Sequence, residues 1–346
     1  MSSPNPPEYT IIPYFLHMRL LLALMPANLA SALERTISRL DNLDPLLRKD
    51  LIDRDLTGGV LGLIKTNKVP SLEEILLEGE PHLGQLVILN RALYYKGVSR
   101  AFLREQAGNK TYAEFHGKLK EFNNIAISGK FSPEHLTYSS SVGRLSGNCT
   151  RFIFAAVDEI KNEAILLRPI LIGDRIYRSD QSSIFVEKNA CRVFPEDIEE
   201  FSKLVPLGSR RWDVKRLKDI PERTVKQWFA ELLNENNVPK DWGGERSDLF
   251  TTHMRVRGAR VAAAFLLKGP AKFHPLSLKD LGVNGDQIVR LFDEPADVHV
   301  VQHCHYIKSE ILHHLDAFSS RPHATSWYCA LDGVDTLRIL VGYGYL

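Results

Sequence analysis

The stretch DWGGERSDLFTTHMRVRGARVAAAFLLKGP, residues 241–270, holds the residues best suited to chemistry. Asp248 opens one run of alternating apolar residues, and Lys268 closes another. Gly258 sits between the runs, so they read as an antiparallel hairpin. Folding at Gly258 brings a carboxylate and an ammonium to the facing ends of two strands. A carboxylate suits a hard divalent cation such as Mg²⁺. A neighbouring lysine can orient a water or stabilise developing negative charge. Taken singly, the two residues read as a turn aspartate and a solvated strand-end lysine. Taken together, in this order, they point to catalysis.

Histidines form the second concentration of chemistry. Eight of the 12 lie at or beyond His253. His299, His303 and His305 share strand parity and therefore one face. His313 and His314 follow on a helical stretch. The order His303-Cys304-His305 superficially suggests zinc. However, Cys304 has the opposite parity, and no second ligand pair has zinc-site spacing. His303 and His305 instead read as groups near the end of a strand that could contact phosphate or orient a water.

These residues must be positioned by a scaffold. With 346 residues, the chain is long enough for two or three domains. A formal net charge of +2 argues neither for nor against nucleic acid, so any basic patch must be local. Cys149, Cys191, Cys304 and Cys329 form no CxxC and read as reduced thiols of a cytoplasmic protein. The apolar run 11–26 is interrupted by Pro13, His17 and Arg19. It is too short to span a bilayer and reads as a buried helix, so no membrane partner is expected. There is no P-loop, no GxGxxG after a strand and no GxSxG, which excludes the nucleotide and hydrolase chemistries tied to those motifs.

The periodicity predicts an α+β multidomain chain. Residues 1–134 read as a mainly helical domain, with helical patterns in NLASALERTISRL, SLEEILLEG and LGQLVILNRALYYKGVSRAFLREQ, and with Gly58-Gly59 as a stop. Residues 135–205 read as a small β-containing unit whose hairpin is RFIFAAVDEIKNEAILLRPILIGD. PEDIEEFSKLV reads as a short helix. Residues 206–220 read as a linker made basic by Arg210, Arg211, Lys215, Arg216 and Lys218, able to touch phosphates. Residues 221–346 read as α-β-β-α-β-α-β-α around a mixed sheet.

That order resembles the PD-(D/E)XK restriction-endonuclease-like fold, and most closely its Mrr-type branch. Three pieces carry the resemblance: WFAELLNENNVPKDWGGERSD, AAFLLKGP, and the tail from VHVVQHCHYI through WYCALDGVDTLRILVGYG. It covers about residues 221–346. It implies a C-terminal α/β nuclease domain with a central mixed sheet and Mg²⁺ or Mn²⁺ as cofactor. Asp248 would be the first metal ligand and Lys268 the water-orienting base. It also implies a metal-dependent deoxyribonuclease, DNA as partner, a homodimer for double-strand cleavage, and a prokaryotic restriction or phage-defence role. The N-terminal region would recognise DNA, a partner protein or a signal. The apolar run 11–26 could supply the dimer interface.

The sequence departs from the family at Leu266, where a second acid belongs. Candidates for the vacant place are Glu245, Asp286 with Gln287, Gln302, and Glu231 as a helix-borne acid. Asp286 also suits the start of a helix, and Gln302 also suits a buried hydrogen-bond partner. Asp332-Gly333 reads as a structural strand-to-helix turn, with Asp335 near the helix start. Leu266 also keeps open a second function, a catalytically degenerate subunit that binds nucleic acid or a partner.

Overall fold

The computed structural model describes residues 9–27, 30–31, 34–35, 43–161, 164–177, 191–235, 246–321 and 326–346. The chain divides into two units, residues 1–42 with 50–187, and residues 43–49 with 188–346.

The first unit is built on strands β1 (Tyr9–Leu16), β2 (Leu86–Lys96), β3 (Ala113–Leu119), β4 (Ile125–Phe131), β5 (Gly147–Lys161) and β6 (Ala164–Tyr177). Their order is β1-β6-β4-β3-β2-β5, and a further β5–β6 pairing closes the last five into a barrel. Closure leaves those five strands without a free edge. β2, β3 and β4 form a meander, and β5 returns beside β2, which is a Greek-key path. Helices α1 (Met18–Leu24), α2 (Pro45–Asp50), α3 (Thr57–Thr66), α4 (Leu72–Glu78), α5 (Val98–Gln106) and α6 (Ser141–Arg144) accompany this part of the chain, α2 lying mostly in the second unit. Leu21, Val60 and Ile64 pack with Leu16, Phe154 and Leu171 in one apolar cluster.

A mainly helical N-terminal part is therefore incorrect, and so is the α+β description that rested on it. The stretch read as one helix, LGQLVILNRALYYKGVSRAFLREQ, is β2 followed by α5. Val87, Leu89, Leu93 and Tyr95 are buried at odd positions, a period of two that ladders to β3 and β5 make stable. Gly97, at φ +76°, turns the chain from strand to helix. Gly58 and Gly59 do not stop a helix but lie inside α3. The apolar run 11–26 is half strand and half helix, and Ile11, Tyr14, Phe15, Leu16 and Leu21 are buried within the unit. Most of NLASALERTISRL lies outside the described residues.

The second unit follows the element order read from its sequence. α7 (Glu222–Leu232) leads to β7 (Leu249–Val256) and β8 (Ala259–Lys268). Then come α8 (Asp286–Phe292), β9 (Val298–His303), α9 (Ser309–Ser319), β10 (Trp327–Leu331) and α10 (Gly333–Gly342). The sheet order is β10-β9-β8-β7, with β7–β8 antiparallel and the other two pairings parallel. Alternation along β8 splits the core. Ala263, Phe265 and Leu267 pack with Val225 and Phe229 of α7 and Ile339 of α10. Ala264 and Leu266 pack with Ile288 and Leu291 of α8 and Ile311 and Leu315 of α9. Before α7, the segment expected to be a helix in PEDIEEFSKLV forms two 3-10 turns, Pro195–Asp197 and Glu199–Phe201. The basic stretch is anchored by buried Trp212, Val214 and Leu217, while Arg210, Arg211, Lys215, Arg216 and Lys218 stay exposed. Among the described residues, no helix is long and apolar enough to cross a membrane.

Candidate active site

β8, β9 and β10 run parallel, so their C-terminal ends share one edge of the sheet. In open α/β sheets, ligands bind outside that edge. β7 runs the other way, with Leu249 opposite Phe265, so its first residues lie on the same edge. Asp248 before β7, Lys268 at the end of β8 and His303 at the end of β9 thus converge. Lys268 and His303 are register partners.

Asp248 is fixed by two bonds to β8. Its backbone N–H donates to Phe265 O at 2.8 Å, and its Oδ2 accepts from the Leu267 N–H at 2.6 Å. Its Oδ1 has no hydrogen-bond partner among the described residues. Burial pushes the carboxyl above its usual range. The Leu267 N–H, Lys268 and Lys226 pull it down, and Glu222 pushes it up.

That electrostatic neighbourhood identifies two residues the sequence reading missed. Glu222 opens α7, and its Oε2 accepts from the Gly269 N–H at 2.6 Å, one residue beyond Lys268. A side chain on residue 269 would press on Glu222, since an added Cβ would lie 2.9 Å from its Oε2 and 3.0 Å from its Cα. Glycine is needed here for close approach, because φ at Gly269 is −77° and any residue can adopt it. Lys226 is buried one turn further along the helix, at the i+4 position. In sequence, Glu222 looked like an ordinary first-turn acid that complements the helix dipole. On the same helix the sequence offers Glu231 as a helix-borne acid but suits it better to a surface position. Glu231 is exposed near the other end of α7, where it accepts from Gln227 and Tyr345.

The other candidates lie elsewhere. Glu245 lies outside the described residues. Gln302 is buried on the opposite sheet face from Lys268, where its Nε2 donates to Thr336 Oγ1 at 3.1 Å. Asp286 starts α8 with its Oδ2 3.3 Å from Arg290 Nη2. Gln287 Oε1 is buried without a hydrogen-bond partner among the described residues. His299 stacks on Phe292 at 4.2 Å near the opposite end of β9. His313 and His314 are exposed on α9. Asp332 caps α10 by accepting from the Val334 and Asp335 N–H groups.

His303 and His305 are held neutral. His303 Nδ1 accepts the His305 N–H at 2.9 Å, and His305 Nδ1 accepts the Tyr306 N–H at 2.8 Å. Only an unprotonated Nδ1 can accept, so each ring carries its proton on Nε2. Burial lowers both to about 4, with His274 adding to the effect at His305. A histidine depressed in the folded state contributes stability above its unfolded pKa near 6.5 and loses it as pH falls toward 4. For buried His303 that shift of about 2.5 units corresponds to about 3 kcal/mol. His303→Asn, whose side-chain oxygen can still accept from His305, is expected to flatten the fall in melting temperature between pH 7 and pH 4.5. An unchanged pH profile would contradict this assignment.

The Lys268 ammonium makes no hydrogen bond or ion pair among the described residues and acts on Asp248 only through its charge. Among those residues, no group of three or more His, Cys, Asp or Glu side chains could hold a metal ion. The arrangement offers two carboxylates, Asp248 and Glu222. Glu222 raises the Asp248 carboxyl, and each keeps one oxygen outside the hydrogen bonds above. Such a pair suits Mg²⁺, which takes one or two carboxylates and fills its remaining positions with water and substrate phosphate. It does not suit a closed zinc site. No family model, no curated protein and no solved structure matches this chain.

Proposed function

We propose that the second unit hydrolyses DNA phosphodiesters with Mg²⁺ or Mn²⁺ as cofactor, in the cytoplasm. The observation that carries this reading is the convergence of Asp248, Glu222 and Lys268 on one sheet edge. The element order from α7 to α10 also supports the resemblance to PD-(D/E)XK nucleases.

The free oxygens of Asp248 and Glu222 would hold the cation. Bound there, the metal supplies Lewis-acid polarisation of a phosphoryl oxygen and a water of lowered pKa. Lys268 orients the attacking water and meets the negative charge gathering on the phosphoryl group. Lys226, buried one turn along α7, works against the upward push of burial on the Asp248 carboxyl. His303 and His305 contribute neutral N–H donors near the same edge. The exposed cations Arg210, Arg211, Lys215, Arg216 and Lys218 track the DNA backbone.

Glu222 takes the role that Leu266 cannot fill. Cleavage of both strands needs two such sites, so we propose a homodimer. A second reading, a DNA-binding subunit without catalysis, is favoured by one observation. Leu266 is buried in the apolar cluster under α8 and α9, so no acid stands two residues before the lysine. Supercoiled plasmid titrated with Mg²⁺ separates the readings. Wild type should nick it, and Glu222→Gln should require about tenfold more Mg²⁺. An unchanged Mg²⁺ requirement in that variant would remove Glu222 from the site.

A further inference from the structure

The first unit contains a cleft that the nuclease reading does not use. It arises from the way β6 is shared. β4 pairs with β6 over Ala164–Leu167, and β1 pairs with it over Leu171–Tyr177. Arg168, Pro169 and Ile170 lie at the changeover, and Pro169 has no N–H to offer either neighbour. β1 leaves the sheet at His17, whose N–H donates to Ile170 O at 2.8 Å. The space between the ends of β1 and β4 is a cavity of about 270 Å³, closed on another side by the loop from α5 to β3.

Its lining combines flat rings with positive charge. Phe15 meets Phe131 edge-on at 5.3 Å and His135 at 5.9 Å. The imidazoles of His17 and His135 lie 4.1 Å apart, tilted by 34°. Tyr112, 63% exposed, stands at the rim. The charged lining groups are Lys110, Lys130 and Arg168 against the single carboxylate of Glu134. Glu134 Oε1 lies 3.1 Å from the Nε2 of His135, an imidazole that burial lowers to about 4 and so leaves neutral, and Arg168 is held by Asp158. The ammonium groups of Lys110 and Lys130 make no hydrogen bond or ion pair among the described residues. Glu114, opposite Lys130 in the ladder, is bound instead by Lys96 at 2.7 Å.

An aromatic cleft with an excess of uncommitted cations fits a planar ring carrying an anion. Its volume is slightly below the 300–1,000 Å³ of drug-sized pockets, which limits the ligand to about one nucleotide unit. We propose that this cleft binds a nucleoside phosphate, with the base against Tyr112 and the His17–His135 pair and the phosphate on Lys110 and Lys130. Stacking of a base on an aromatic side chain is sequence-tolerant, and the lysines add salt-dependent attraction. The same chemistry is offered by a free nucleotide and by the phosphorylated end of a strand.

The test is calorimetric titration of the full chain without divalent metal. The probes are adenosine 5′-monophosphate, adenosine, inorganic phosphate, and a short single-stranded DNA with either a 5′-phosphate or a 5′-hydroxyl. The monophosphate is expected to bind at least tenfold more tightly than adenosine or phosphate alone. Tighter binding of the 5′-phosphorylated strand would make a strand end the ligand, and tighter binding of the monophosphate would make it a free nucleotide. Lys110→Ala/Lys130→Ala and Tyr112→Ala change exposed side chains and should fold normally. Each should weaken binding at least tenfold. No binding of monophosphate or 5′-phosphorylated strand at millimolar concentration, monophosphate binding no tighter than adenosine, or affinity unchanged by both variants would overturn the proposal. Because no metal is present, these results are independent of whether the second unit cleaves DNA.

Discussion

Asp248→Asn and Lys268→Ala should each reduce Mg²⁺-dependent plasmid cleavage by about 10³-fold or more while leaving the fold intact. The two substitutions act by different routes. Asparagine at 248 keeps the oxygen that accepts from Leu267 at 2.6 Å, so the β7–β8 end should hold its geometry. What it loses is the negative charge that, with Glu222, would hold the cation. That loss should appear as a higher Mg²⁺ requirement and a reduced maximal rate. Alanine at 268 leaves both carboxylates in place and removes the ammonium beside them. Cleavage should then fall at every Mg²⁺ concentration, with metal dependence unchanged. Single-turnover rates measured against Mg²⁺ concentration distinguish the two patterns. Cleavage within threefold of wild type in either variant would count against the assigned role.

The second large effect concerns stability. Arg338→Met should destabilise the second unit by about 3–5 kcal/mol, because it breaks a buried ion cluster from one side. Arg338 is 1% exposed and reaches three acceptors. Its Nη1 donates to Asp335 Oδ1 at 2.7 Å, its Nη2 to Glu196 Oε1 at 2.6 Å, and its Nε to Val205 O at 2.8 Å. Methionine fills much of the volume but leaves Glu196 and Asp335 buried without their shared cation. Against the usual domain stability of about 5–15 kcal/mol, such a loss is large. Arg338→Met/Glu196→Gln/Asp335→Asn, which removes the orphaned charges as well, should recover a substantial part of it. Denaturant unfolding followed by fluorescence measures both variants. A single variant within about 0.5 kcal/mol of wild type would show that the cluster does not hold α10 to the segment around Glu196.

The hairpin that presents Asp248 and Lys268 was legible because its signals are local. Leu249–Val256 and Ala259–Lys268 alternate, and the two residues between them, Arg257 and Gly258, both have positive φ. That is the turn chemistry of a tight hairpin. The barrel was illegible for the converse reason. β2 has residues that a helix also accepts, and its partners β3 and β5 lie far along the chain. Only ladder formation across those separations decides in favour of strand. The closing contact, β5 with β6, is a hairpin that could be read, but a hairpin does not announce a ring. The site divides similarly. Asp248 and Lys268 follow from strand ends. Glu222 meets them only because α7 packs its first turn against Gly269, and no local pattern separates that acid from the common first-turn glutamate. Gln302 failed as a site candidate because strand parity sends it to Thr336 on the other face.

The most direct test of the central claim is incubation of supercoiled plasmid with purified wild-type chain in Mg²⁺ and in EDTA, beside Asp248→Asn. The expected result is nicking in Mg²⁺ that EDTA and the substitution both abolish. Nicking that persists in EDTA or in Asp248→Asn would contradict a metal-dependent site at this sheet edge. Failure to nick with Mg²⁺ or Mn²⁺, with plasmid binding retained, would instead make the second unit a DNA-binding module.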